Sequence, residues 1–181
     1  MRAARLALYG HPVAHSLSSC MFEAAFEASG RDAVYELVDV DDAAALGREV
    51  ARIREGERLG ANLTLPHKRA GLALADVFGD EAREVGAANL LRRELDGRLR
   101  ADNTDVLALH AELDRLGAAR GVALVLGAGG GALAAVAAAR RAGFAQVWQA
   151  ARRFIDVDPL GAGLLSREPA SGVRRIPWPA A

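Results

Sequence analysis

Lysine is nearly absent from this chain: Lys68 is the only one among 23 basic residues, and the others are all arginine. Cysteine is as scarce, and Cys20 alone can close no internal disulfide. No Cys/His spacing around it suits a metal, so no metal site is expected, and a reducing cytoplasm is the simplest setting. Neither sign of charge is in excess, because 23 acidic residues balance the 23 basic ones. No overall field therefore draws the chain to nucleic acid or to an anionic membrane. Long apolar runs are missing too. The longest, Leu124 to Ala139, is interrupted by Gly127, Gly129, Gly130 and Gly131 and runs into Arg140-Arg141, which excludes a membrane span. The residues before Gly10-His11-Pro12 hold Arg2 and Arg5 but no apolar core of signal-peptide length, so no targeting segment is expected. What is present is a 181-residue chain, 51% apolar, long enough for one domain or two small ones, whose expected partners are small molecules.

Strand-like and helix-like segments alternate along the chain. Residues 5–9 read as a strand stopped by Gly10 and Pro12, and residues 18–28 carry apolar side chains at helical spacing up to Gly30. Residues 34–40 repeat the strand pattern, and Asp41-Asp42 offers a cap for a helix reaching Arg54. Residues 59–65 form the next strand before Pro66 opens another helix. This alternation predicts an α/β fold, with a mostly parallel sheet in a three-layer arrangement. Residues 88–101 read as two short strands joined by Asp96-Gly97, a hairpin turn signal, and Asn103 or Thr104 can cap a helix to Leu116-Gly117. A second unit is expected after that point, dividing the chain into residues 1–117 and 118–181. Its first strand, Val122 to Leu126, reads as buried. An alanine-rich helix ending at Gly143 follows, then a strand at 145–150, a weak helix broken by Pro159, Gly161 and Gly163, and a third strand from Val173 to Trp178.

Between that buried strand and helix lies G-A-G-G-G-A, formed by Gly127, Ala128, Gly129, Gly130, Gly131 and Ala132. The strand before and the helix after give the G-x-G-x-x-G/A pattern the context of a dinucleotide fingerprint. Gly127 permits the tight turn, Gly129 lets backbone approach a pyrophosphate, Ala132 allows close helix packing, and the first helical amides favour phosphate charge. The alternative is an ordinary glycine-rich turn. The next strand ends in Arg152-Arg153 with no carboxylate. Paired guanidiniums suit a 2′-phosphate, which points to NADP over NAD, unless the two arginines form a solvated loop.

Lys68 lies in G-A-N-L-T-L-P-H-K (60–68). Arginine supplies fixed charge, whereas a lysine amine can be tuned to exchange a proton. Two accounts fit the count alone: a proton carrier, or a survivor of an arginine-rich composition. Asn62, Thr64 and Lys68 stand where a strand gives way to a helix, the place where open α/β sheets collect ligands. His15-Ser16-Leu17-Ser18 follows the first strand. Asn89 follows Gly86-Ala-Ala, and Asp102-Asn103-Thr104-Asp105 follows another extended segment. These groups suit a polyhydroxylated, anionic small molecule. His15 and His67 pack or cap beside this set, His110 is a surface or core residue of an amphipathic helix, and Trp148 and Phe144 read as core.

The succession H-S-L-S (15–18), G-A-N-L-T-L-P-H-K (60–68), G-A-A-N (86–89), D-N-T-D (102–105) and G-A-G-G-G-A (127–132) resembles shikimate dehydrogenase over roughly residues 5–153. The resemblance implies an N-terminal substrate domain followed by a Rossmann-type NADP domain, and the reversible reduction of 3-dehydroshikimate to shikimate. It assigns Ser16 and Ser18 to the substrate carboxylate and Thr64, Asn89 and Asp105 to ring hydroxyls. Lys68 and Asp105 become the catalytic pair, Asn62 a nearby orienting amide, and Asp80 either a cofactor contact or a helix cap. A quinate/shikimate dehydrogenase using NAD, or an inactive substrate-binding fragment, are the alternatives, and monomer and homodimer both stay open. Several positions depart from the family pattern: Ser19, Phe22-Glu23, Leu90, Val106, Leu133 and Ala151. The chain also ends too soon after Gly121 for two full mononucleotide-binding halves, so the second half of the cofactor domain is expected to be missing.

Overall fold

The computed structural model describes residues 3–154 and 172–178. Their contacts divide the chain into two compact units, Met1–Asn103 and Thr104–Ala181. The weak helix expected around Pro159 to Gly163 lies outside the described residues.

In the first unit β1 (Ala4–Gly10), α1 (Ser18–Ser29), β2 (Ala33–Asp39), α2 (Ala43–Arg54) and β3 (Gly60–Leu63) follow the alternation that periodicity predicts. Next come α3 (Lys68–Ala73), β4 (Val77–Phe78), α4 (Asp80–Val85), β5 (Leu90–Arg93) and β6 (Leu99–Asp102). The six strands form one sheet in the order β2-β1-β3-β5-β6-β4. β1 pairs in parallel with β2 and β3, and β4 with β6. β5 runs antiparallel to both of its neighbours and is joined to β6 by a hairpin. The hairpin loop holds three residues between Glu94 and Arg98, and Gly97 takes φ +87° there, the left-handed position that such loops reserve for glycine.

Strand alternation sorts the core into two faces. Ala7 and Tyr9 of β1 join Leu46, Val50 and Ile53 of α2 and Leu63, Leu91, Leu99 and Ala101 of neighbouring strands. Leu6 and Leu8 face the other way, with Tyr35 and Leu37 of β2 and Phe22 and Phe26 of α1. The expected three layers are therefore present in this unit. Asp42 caps α2 through its carboxylate, which accepts from the Ala45 amide at 2.6 Å. The helix expected to open at Pro66 begins at Lys68 instead, because Thr64 to His67 form a turn in which the His67 amide reaches the Thr64 carbonyl at 2.8 Å.

Among the described residues, one charged side chain lies inside this unit. Arg58, 3% exposed, donates to Glu36 at 2.7 Å, to Glu49, and to the Tyr9 hydroxyl at 3.1 Å. Burial pushes the Tyr9 phenol up to about 12 despite that guanidinium. Burial also tends to raise Glu36, but its hydrogen bond to Arg58 and the charges of Arg58, Arg5 and Arg52 outweigh it and hold the carboxyl below its usual value.

The second unit comprises α5 (Asp105–Arg115), β7 (Val122–Leu126), α6 (Gly130–Arg141), β8 (Gln146–Ala151), a 3₁₀ turn (Arg152–Phe154) and β9 (Val173–Pro177). Among the described residues its three strands are all parallel, in the order β7-β8-β9. The break between units precedes α5, whereas the glycines at 117 and 121 suggest one after it; α5 packs on α6 and so joins the second unit. The expectation of a buried β7 is corrected. Val122, Leu124 and Leu126 are 55%, 55% and 60% exposed, because β7 is an edge strand and only alternate residues turn toward α6. Trp148 and Phe144 are half-buried rather than core, with Arg174 over the first ring and Arg120 over the second.

Asp76 links α2 to the sheet: its carboxylate accepts from Arg54 at 3.0 Å and from the Leu99 amide at 2.8 Å. The Arg54 hydrogen bond, reinforced by that amide, lowers the Asp76 carboxyl to about 2. A carboxyl depressed on folding contributes stability that is present above its unfolded value and lost as pH falls through the folded one. Urea unfolding followed at stepped pH is expected to show stability falling between about pH 4 and pH 2, with a shallower fall in Asp76→Asn.

Candidate functional site

The sequence-predicted groups of the first unit gather at one end of the six-stranded sheet. β1 and β3 end there, β5 begins there, and β6 ends beside β5, as the register Asn62↔Leu90↔Asp102 requires. Backbone hydrogen bonds fasten the loops to one another. Thr64 donates to the Tyr9 carbonyl at 2.9 Å, His11 to Leu65 at 2.9 Å, Leu63 to Asn89 at 2.8 Å and Ala88 to Lys68 at 2.7 Å. Lys68, half-buried, is the first residue of α3. The residue before it is anchored in the core: His67 is 4% exposed and its Nε2 lies 2.6 Å from the Val40 carbonyl, which requires the proton on that nitrogen. His67 thus packs beside the site, as expected, whereas His15 is exposed.

Two glycines make this arrangement sterically possible. A Cβ on Gly10 would overlap the Thr64 methyl, and one on Gly71 would overlap the Leu63 side chain. The first glycine leaves room for Thr64 over β1, and the second lets α3 lie close on β3.

The serines after β1 bond to each other. Ser16 donates to Ser18 at 3.1 Å, and the Ser18 amide donates back to the Ser16 oxygen at 3.2 Å. Asn62 donates to the Asn89 carbonyl at 3.3 Å and accepts from the Tyr35 hydroxyl at 2.8 Å. Burial pushes the Tyr35 phenol up to about 12, so it remains a donor at any working pH. Tyr35 escaped the sequence reading; its signal is the period-2 pattern that puts it on the α1 face of β2. Asn103, a possible cap for α5, instead turns into the first unit, where it is 2% exposed and donates to the Ala87 carbonyl at 2.9 Å. Asp105 is half-buried and opens α5 in the second unit. Asp80 is the first helical residue of α4, whose N-cap is Gly79, so the cap reading is corrected; its charge falls in the first turn, where the helix dipole favours it.

In the second unit the glycine loop runs from β7 into α6. Gly127 takes φ +119° with its amide on the Ala150 carbonyl, and a Cβ there would come 3.4 Å from that of Ala132. Gly129 is the N-cap of α6, with no side-chain cap, and a Cβ on it would meet nothing within 4 Å. Gly130 and Gly131 form the first turn of the helix. A cavity of about 650 Å³ opens here, lined by Leu126, Gly127, Ala128, Gly129, Ala151, Arg152 and Trp178. Arg153 follows Arg152 in the 3₁₀ turn. Two residues of this cradle were not foreseen: Gln149, 3% exposed, holds the loop by donating to the Gly127 carbonyl at 2.9 Å, and Trp178 forms a wall. A helix start with no side-chain cap, one guanidinium and an aromatic wall suit a phosphorylated nucleotide.

A family model for the shikimate dehydrogenase substrate-binding domain matches residues 8–91. The chain belongs to the shikimate dehydrogenase family. It is 42% identical to the shikimate dehydrogenase (NADP(+)) of Methylobacterium radiotolerans over 87% of this chain and 58% of that protein. It is 43% identical to the Thermus thermophilus enzyme of the same name, over 80% of this chain and 54% of that protein. Among solved structures, the Thermus thermophilus shikimate 5-dehydrogenase in complex with shikimate superposes with a TM-score of 0.75 at 41% identity, covering 82% of this chain and 56% of that one. The same enzyme in complex with NADP(H) and shikimate gives 0.73. The chain thus spans about half the length of the curated relatives it matches.

The contact between residues 10 and 64 can be tested directly. Gly10→Ala is expected to destabilise the first unit by about 1–3 kcal/mol, the usual cost of overpacking. Adding Thr64→Ser, which removes the obstructing methyl and keeps the hydroxyl, should recover most of that loss in urea unfolding.

Proposed function

We propose that this chain binds shikimate and 3-dehydroshikimate at the end of the six-stranded sheet and NADP at the glycine loop, and interconverts the two acids as a cytoplasmic NADP-dependent dehydrogenase. The observation that carries the reading is the convergence of Asn62, Thr64, Lys68 and Asn89 on one sheet end through the hydrogen bonds described above, with the bonded pair Ser16 and Ser18 after β1. It is supported by relatives named shikimate dehydrogenase (NADP(+)) and by a neighbour in complex with NADP(H) and shikimate. Residues 1–117 would form the substrate-binding catalytic part and residues 118–181 a partial Rossmann-type cofactor part.

In this reading Ser16 and Ser18 hold the carboxylate by hydroxyl donation, and Thr64, Asn89 and Asp105 hold ring hydroxyls. Gly127 to Ala132 receive the pyrophosphate at the start of α6, and Arg152 with Arg153 receives the 2′-phosphate. Bound NADPH supplies the hydride. As the carbonyl oxygen of the substrate gains charge, the Lys68 ammonium donates its proton to that oxygen, and in the oxidation direction the amine takes it back. Asp105 orients the amine. Asp80 remains a proposed cofactor contact.

A second reading, binding of shikimate without turnover, follows from the match to only about half of each relative's length. NADPH absorbance followed with 3-dehydroshikimate, beside a calorimetric titration with shikimate, separates the two. Turnover is expected, and Lys68→Ala or Lys68→Arg should lower it by about 10²-fold or more. Near-normal turnover in either variant would refute the proton-carrier role. Arg152→Ala should weaken NADP⁺ binding about tenfold and leave NAD⁺ unchanged, the scale of one hydrogen bond to a charged group.

A further inference from the structure

Gly127 is tied to β8 at both of its backbone groups, and the two ties differ in kind. Its amide continues the parallel ladder to the Ala150 carbonyl at 2.8 Å. At φ +119° the chain then leaves the sheet, and the Gly127 carbonyl accepts from a side chain, the Gln149 amide at 2.9 Å. A carbonyl can only accept, so Gln149 must turn its NH2 toward it. Gln149 is 3% exposed, so that NH2 is shielded from water and depends on this bond. It stands opposite Val125, two residues before Ala151 ends β8, whereas the cavity opens at Leu126 and Ala151, where β7 and β8 end. The Gly127 carbonyl is therefore drawn back toward the sheet and away from the cavity. One residue on, Ala128 packs with Ala151 and Phe154 in a buried apolar cluster, which anchors that side chain but does not set the angle of the peptide plane before it.

We propose that Gln149 is a positioning residue for the pyrophosphate: by holding the Gly127 carbonyl against the sheet, it keeps the negative end of that peptide dipole out of the anion's place. This rests on the reading of the glycine loop as the pyrophosphate site. A planar trans peptide carries its carbonyl and the following amide on opposite sides, so the direction of one sets the direction of the other. Glycine accepts backbone angles that other residues resist, which gives position 127 its turn and also leaves its carbonyl easy to rotate. Gln149 removes that freedom. Without its NH2 the carbonyl loses this donor beside a cavity that Gly127 itself lines, and rotation of the plane brings the negative end toward the phosphates. In the same reading the 2′-phosphate belongs to Arg152, at the end of β8, and this rotation does not reach it.

Gln149→Met keeps nearly the same volume and removes the amide. Two probes separate the halves of the cofactor: NADP⁺, and adenosine 2′-phosphate, which has the base, the ribose and the 2′-phosphate but no pyrophosphate. Their dissociation constants for the 181-residue chain are measured by calorimetry, the second by displacement of NADP⁺. Gln149→Met is expected to weaken NADP⁺ about tenfold, the scale of one charge-assisted hydrogen bond lost from the phosphates, and to leave adenosine 2′-phosphate nearly unchanged. A general loss of stability would weaken both probes alike and leave their ratio intact. If Gln149→Met does not fold, Gln149→Asn, whose amide is one methylene too short to reach the carbonyl, is expected to show the same selective loss. Equal losses on both probes, or an unchanged NADP⁺ constant in a folded variant, would overturn the proposal. Failure of the unsubstituted chain to bind NADP⁺ would instead remove the cofactor reading, and this inference with it.

Discussion

Where a sheet stops, its last amides and carbonyls lose their neighbours, and they must find partners or be hydrated. In this chain they find them in one another's loops. Thr64 hangs from the end of β1 and Leu63 from the residue before β5, Lys68 accepts from Ala88, and His11 reaches back to Leu65. These bonds fasten the loops that carry Thr64, Lys68 and Asn89. His67 on the Val40 carbonyl and Asn103 on the Ala87 carbonyl repeat the device with side chains. The geometry of the site is thus a by-product of satisfying main-chain groups, and its side chains inherit precision from the sheet.

That lattice requires close approach, which explains where the first unit uses glycine without a left-handed backbone. Gly10 and Gly71 are not at turns that need positive φ; they are gaps shaped to Thr64 and Leu63. Beneath the lattice, Arg58 binds Glu36 on β2 and Glu49 on α2, so a buried charge ties helix to sheet. Removing one member of such a set is costly because it strands the others in a dry site.

The second unit uses a different principle. Its cradle is defined by what is missing from the side chains: no cap on α6, no Cβ at Gly129, and a left-handed Gly127 that only glycine tolerates readily. Gln149, reaching across from β8, keeps that bare loop from moving. The edge position of β7 leaves its apolar alternate residues more than half exposed, which shows that an apolar pattern reports the need for cover and does not report whether cover is present.

Much of this was legible beforehand. Periodicity placed the strands and helices of the first unit, because a helix face or a strand face is a local property of spacing. The glycine loop and the stretches around Ser16, Lys68, Asn89 and Asp105 were legible because turn chemistry and strand-to-helix exits leave short, contiguous marks. The failures have two causes. A buried β7 was inferred from local residue preference, and its place at the sheet edge decided otherwise, whereas a capping Asp80 and a helix beginning at Pro66 missed the observed helix starts by one and two residues. Tyr35, Gln149 and Trp178 left no local mark. Tyr35 meets Asn62 across 27 positions only because β2, β1 and β3 lie side by side in that order. The sequence by itself determined which segments form strands and helices and which loops carry chemistry. Only the tertiary structure decided which distant groups share a proton, because strand order and register, not spacing along the chain, set those distances.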